Sequence, residues 1–159
     1  MKPSDISGTR IPQLPAICIR GWVIEPLATL DELKVCGKDD WKKPEFRRLR
    51  IYDRTLSTWR LLNVRHVGHP GPFRGFSLLR RRAYLIDFDV EFEGEISLSA
   101  LITEIMAAIN RRRLFYDSII GFDEFEEQLP STTTFDDLYD QVVSILCGDA
   151  EQSAPPNSR

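Results

Sequence analysis

Residues 83–93, AYLIDFDVEFE, constrain what this chain can fold into more than any other stretch. Tyr84, Ile86, Phe88, Val90 and Phe92 alternate with Asp87, Asp89, Glu91 and Glu93. An extended backbone puts the first set on one face and the carboxylates on the other. A helix would scatter those carboxylates around its circumference, and the aromatic and β-branched content also favours a strand. After a Gly94-Glu95 break, Leu98, Leu101, Ile102, Ile105, Ala108 and Ile109 recur at spacings of three and four. That spacing predicts an amphipathic helix whose apolar stripe lies on the sheet's apolar face. Ser97 is placed to cap the helix, and Arg111, Arg112 and Arg113 sit at its carboxyl end, where cations complement the dipole.

The rest of the chain is read around this strand and helix. Residues 16–24 form a first strand in which Gly21 marks a bulge or close packing, and Pro26 ends it. Thr29 caps a helix over residues 30–36, with Glu32 completing a capping box and Gly37 stopping the helix. Residues 46–53 and 58–67 read as a hairpin joined through 53–57, followed by the turn-rich loop GHPGPFRGF, with Phe73 and Phe76 as anchors. Residues 114–118 are a connection, and residues 121–129 form a short acidic helix closed by Pro130. Thr134 caps a last helix, whose stripe is Leu138, Val142, Ile145 and Leu146. The expected fold is therefore α+β: an antiparallel sheet of about four strands packed by helices on one face, in the order β-α-β-β-β-α-α-α. Residues 1–14 read as a flexible arm, 15–147 as a single domain and 148–159 as a disordered tail.

Composition excludes several classes. With 42% hydrophobic and 28% charged residues the chain is neither disordered nor fibrous in type. The apolar run at residues 17–24 is too short and too interrupted to span a bilayer, and MKPSDISGTRIPQLP lacks the apolar core of a secretory signal. The expectation is a soluble cytoplasmic protein that does not engage a membrane. Cys18, Cys36 and Cys147 are odd in number and widely spaced, which fits neither a disulfide framework nor paired metal ligands. They are expected to be reduced, with Cys18 and Cys147 buried.

The formal net charge of −3 conceals a strong segregation. Between residues 47 and 82 there are ten arginines against one acid, Asp53. Between residues 114 and 158 there are ten acids and no lysine or arginine. Two such halves either neutralise each other within the fold or face different partners. Arg47, Arg48, Arg50, Arg54, Arg60 and Arg65, interleaved with Tyr52 and Trp59, have the make-up of a nucleic-acid surface that neutralises phosphates and stacks bases. Asp123, Glu124, Glu126, Glu127, Asp136, Asp137 and Asp140 make a negative surface suited to steering a basic protein partner, although acids near helix starts also serve the dipole.

Catalytic and metal signatures are weak. The carboxylates of residues 87–93 can be written as a metal or acid/base row, but a solvated outer strand face paired across strands with Arg48, Arg50 or Arg65 accounts for them better. His66 and His69 with Cys36 lack the closely spaced pairs of a zinc site, and nothing positions Cys36 or Ser57 against His66 as a nucleophile and base. GHPGPFRGF lacks the strand and helix context and the lysine of a phosphate cradle, and reads as a turn or a contact loop carrying Phe73 and Arg74. Neither a metal nor an organic cofactor is expected.

The succession LRIYDRTLSTWRLLNVRHVG, then the aromatic-acidic strand, then EISLSALITEI and TFDDLYDQV resembles a loose class of small bacterial proteins, some of which look like immunity proteins of toxin systems. The likeness covers residues 46–146 and is a pattern of sheet, helix and terminal acidic helix. It implies a non-enzymatic, protein-binding module that occludes a basic toxin or another protein partner with an acidic surface. The alternative is a nucleic-acid-associated protein using the arginine-rich residues 46–67.

Overall fold

The computed structural model describes residues 10–37, 39–68, 83–119 and 126–147. Six strands, β1 (Ala16–Arg20), β2 (Val23–Leu27), β3 (Val35–Gly37), β4 (Arg50–Asp53), β5 (Ser57–Gly68) and β6 (Ala83–Glu95), form one antiparallel sheet in the order β2-β1-β4-β5-β6-β3. Helix α1 (Pro44–Arg47) precedes β4, and α2 (Leu98–Arg111), α3 (Arg113–Ile119) and α4 (Phe135–Cys147) follow the sheet. The mixed, antiparallel class agrees with the sequence reading, but the sheet has six strands rather than about four.

Two local causes account for the extra strands. Gly21 takes φ +62° and connects Arg20 to Val23, which stand opposite each other, so residues 16–24 are a tight hairpin and not one strand. A positive φ at the first of two connecting residues is what such a turn asks of glycine. Pro26 lies inside β2, where an edge strand tolerates a missing amide. The helix expected over residues 30–36 is a 3-10 turn, Leu30–Lys34, that passes straight into β3. Glu32 does close back on the start of that turn, accepting from the Ala28 and Thr29 amides at 3.0 and 2.9 Å. Phe46 belongs to α1, and residues 114–118 lie in α3 rather than in a connection.

Both faces of the sheet are covered, not one. Ile17, Ile19, Ile24 and Tyr52 join Leu101, Ile105, Ala108, Ile109, Tyr116, Phe135, Leu138 and Val142 in one buried cluster, which is the helical side. Ala16, Cys18, Ile51, Trp59, Leu61, Ile86 and Phe88 join Leu33, Phe46 and Leu49 in a second cluster on the opposite side. The alternating strand and the helix after it therefore pack on different sides of the sheet. The stripe of α2 covers β1, β2 and β4, while the apolar face of β6 lies against the 3-10 turns and α1. The carboxylates of β6 share the helical side of the sheet but lie beyond the ground the helices cover.

The helix starts follow the sequence signals. Ser97 Oγ accepts from the Ala100 amide at 3.2 Å, and Thr134 Oγ1 accepts from the Asp137 amide at 3.1 Å. Residues 12–14, read as part of the arm, are tied to the sheet: Pro12 is buried, and the Gln13 carbonyl accepts from the Arg54 amide at 2.9 Å. Residues 1–9 and 148–159 lie outside the described residues, as do residues 69–76 of GHPGPFRGF and residues 121–125. Among the described residues no helix is long and apolar enough to cross a membrane.

Candidate functional site

Alternation along β4, β5 and β6 brings three of the six hairpin arginines, Arg50, Arg60 and Arg65, directly against the carboxylate row. Arg60 stands opposite Glu91, Leu62 opposite Asp89 and Arg65 opposite Asp87. Arg50 Nε donates to Glu93 at 2.8 Å, Arg60 to Glu91 and Arg65 to Asp87, and Asn63 Nδ2 donates to Asp89 at 2.8 Å. Lys34 adds a cation 3.8 Å from Asp87. The row is thus a cross-strand charge ladder. Its members are partly exposed, so each pair contributes about 0–1 kcal/mol, and the ladder does more for register and charge balance than for stability. Among the described residues no three His, Cys, Asp or Glu side chains come together in a way that could hold a metal ion.

The two sequence-predicted surfaces also meet each other. Arg54 Nη2 lies 2.8 Å from Asp136 Oδ2, tying the β4–β5 turn to the first turn of α4. Of the six arginines proposed for nucleic acid, Arg50, Arg54, Arg60 and Arg65 are paired with carboxylates, while Arg47 and Arg48 are exposed without an ion pair among the described residues. Of the seven proposed acids, Asp123 and Glu124 lie outside the described residues and Asp136 is taken by Arg54. Glu126, Glu127, Asp137 and Asp140 are exposed and have no ion pair among the described residues. Asp137 and Asp140 are three apart on α4, on the side away from Leu138 and Val142. Residues 126–128 are helical and lead into the 3-10 turn Leu129–Ser131, whose Leu129 is fully buried.

The other sequence candidates do not assemble. Ser57 and His66 lie on the same strand nine residues apart, roughly 30 Å at about 3.3 Å per residue. His66 stacks on Trp41 and meets the Tyr84 ring at a tilt of 46°, and His69 lies outside the described residues. Burial pushes the Cys18 and Cys36 thiols up, away from the thiolate that a nucleophile or a metal ligand requires. Cys147, at the end of α4, has no described side chain.

Sequence reasoning missed Asp53, whose exposure is 1%. Its Oδ1 accepts from the Thr55 amide, the Thr55 hydroxyl and the Ser57 amide at 2.9, 2.7 and 3.0 Å. Its Oδ2 accepts from the Gln13 amide at 3.0 Å and from Trp59 Nε1 at 2.9 Å. The signal was present: Asp with Thr two residues on and Ser four on is the pattern of a side chain that closes its own turn. Burial raises the Asp53 pKa, but the hydrogen bonds from Gln13, Thr55, Ser57 and Trp59 outweigh it and hold the carboxyl below its ordinary value. Asp53 lies at the wall of an open cleft of about 460 Å³ lined also by Arg10, Gln13, Trp59 and Glu95. With both oxygens saturated by donors, this carboxylate anchors the turn and has no lone pair free for proton transfer.

No protein-family model, no curated protein and no solved structure matches this chain.

Proposed function

We propose that the chain is a non-enzymatic protein-binding module that engages a basic protein partner through Glu126, Glu127, Asp137 and Asp140. One observation carries this reading: four of the six arginines of the basic stretch are balanced by the carboxylates of β6 and by Asp136 of α4, leaving Arg47 and Arg48, whereas these four acids are exposed with no ion pair among the described residues. Unbalanced surface charge of one sign steers an oppositely charged partner and sets the association rate. The likeness to immunity proteins makes a basic toxin one partner of this kind, with inhibition by occlusion. The arginine surface supports a nucleic-acid reading less, because four of its six guanidiniums would have to leave a carboxylate to meet a phosphate.

The test begins with a partner captured by the chain, identified and purified. Changing Glu126, Glu127 and Asp140 to lysine is expected to weaken its binding at least tenfold and to flatten the salt dependence, with thermal unfolding unchanged. A partner that binds the variant and the parent chain equally well refutes the acidic-surface reading.

A further inference from the structure

β3 covers only the beginning of β6: Val35, Cys36 and Gly37 stand opposite Leu85, Tyr84 and Ala83. Lys34 then reaches Asp87, and past that point no described strand lies on the outer side of β6, although β5 pairs along its inner side as far as Glu95. Residues 88–92 make no backbone hydrogen bond outside the β5–β6 ladder among the described residues. Backbone amides and carbonyls are obligatory hydrogen-bonding groups, and a free row of them is a template for another extended chain.

Side chains on either side of this edge specify what such a chain carries. On one face Phe88 is buried in the core, while Val90 and Phe92 are only partly buried, the Phe92 ring lying 4.9 Å from the Arg10 guanidinium. The other presents Asp89 and Glu91, whose side chains are 56% and 45% exposed although each is engaged on its β5 side. A strand added here places alternate side chains on the same two faces, apolar against Phe88, Val90 and Phe92 and cationic against Asp89 and Glu91. A second copy of β6 does not suit the edge, because a carboxylate row would then face a carboxylate row, and like charges directly opposite are destabilising.

We propose that residues 88–92 of β6 are a strand-addition site for an extended partner segment in which apolar residues alternate with lysine or arginine. The inference rests on the reading of the chain as a module for a basic protein partner, and adds a main-chain contact distinct from the acidic helical surface.

The experiment titrates a seven-residue peptide alternating valine and lysine into the isotopically labelled chain, with amide shifts and hydrogen exchange as readouts. Saturable binding is expected, with slowed exchange at alternate amides of residues 88–92. Two peptides N-methylated on opposite sets of alternate residues separate strand addition from charge attraction: one loses binding at least tenfold and the other keeps it. Replacing the lysines by glutamate, or Asp89 by lysine in the chain, also weakens binding at least tenfold. The variant with Glu126, Glu127 and Asp140 changed to lysine binds the peptide as the parent does, so this site and the acidic helical surface stand or fall separately. The proposal is overturned by equal binding of both methylated peptides or by shifts confined to residues 126–140. It is overturned equally if those amides of residues 88–92 that face away from β5 are protected without peptide, whether by the chain's own fold or by a second copy at rising concentration.

Discussion

Asp53 shows what a single buried charge can do when every lone pair is occupied. Five donors converge on it from the Gln13, Thr55 and Ser57 amides, the Thr55 hydroxyl and the Trp59 indole, so it holds the β4–β5 turn, the segment before β1 and the core together at one point. Substituting Asn keeps the shape but turns an amine toward donors on one side of the group. Hydrogen bonds to a charged group contribute about 1.5–3 kcal/mol each, and a buried donor left unsatisfied costs about 1–3 kcal/mol, so Asp53→Asn is expected to cost about 3 kcal/mol in urea unfolding at neutral pH. The pH dependence follows from the direction of the shift. Because the folded carboxyl titrates below its ordinary value of 3.8, its stabilisation is fully present above that value and is lost as pH falls through the lower, folded pKa. Unfolding free energy measured from pH 5 downward is therefore expected to fall less steeply in Asp53→Asn than in the parent. Equal slopes would remove the ionised Asp53 as the cause.

At the scale of elements, what could be read from the sequence was whatever a single face determines. Helices α2 and α4 follow from one apolar stripe each and from Ser97 and Thr134, and β6 follows from strict alternation ending at Gly94-Glu95. β2 and β3 escaped because Gly21 looks the same in sequence whether it bends a strand or reverses it, and because three residues are too few to show a period. The partner of each apolar face was also hidden: α2 and β6 are consecutive and both amphipathic, yet they bury their stripes on opposite sides of the sheet. Of the candidate site, the separation of charge was legible, while its partial cancellation through Arg54–Asp136 and the β5–β6 ladder depended on register. The start of α4 lets magnitudes decide between two contacts. Losing the Thr134 cap costs about 1 kcal/mol, whereas the half-exposed Arg54–Asp136 pair contributes about 0.2–1 kcal/mol. In calorimetry Thr134→Ala is expected to lower Tm by about 2–4 °C, since 1 kcal/mol shifts a domain of this size by that amount. Asp136→Asn should do less, and the reverse order would mean that the ion pair, not the cap, fixes the start of α4.

For the molecule as a whole, the ordering of charge matters more than its sum. A net charge of −3 reveals neither the arginine hairpin nor the acidic carboxyl-terminal third, and the fold treats the two differently. Arg50, Arg60 and Arg65 are matched one to one along the sheet by Glu93, Glu91 and Asp87, so a phosphate approaching β5 meets guanidiniums already paired and a row of carboxylates beside them. The pairing leaves Arg47 and Arg48 as the hairpin's exposed guanidiniums without an ion pair, and Glu126, Glu127, Asp137 and Asp140 as unpaired acids, among the described residues. If β6 is what silences the hairpin, neutralising it should unmask one. The variant Asp87→Asn, Glu91→Gln, Glu93→Gln keeps the alternation and most of the side-chain volume but removes three charges from beside the arginines. It is expected to bind single-stranded DNA in filter assays at low salt, with affinity falling with salt at a slope of about 0.7 per phosphate contact, hence roughly 2 for three freed arginines. The parent chain is expected to show no retention under the same conditions. Retention of DNA by both proteins with the same slope would show that the guanidiniums are available despite the ladder, and would favour the arginine surface over the acidic helices as the place where this molecule meets its partner.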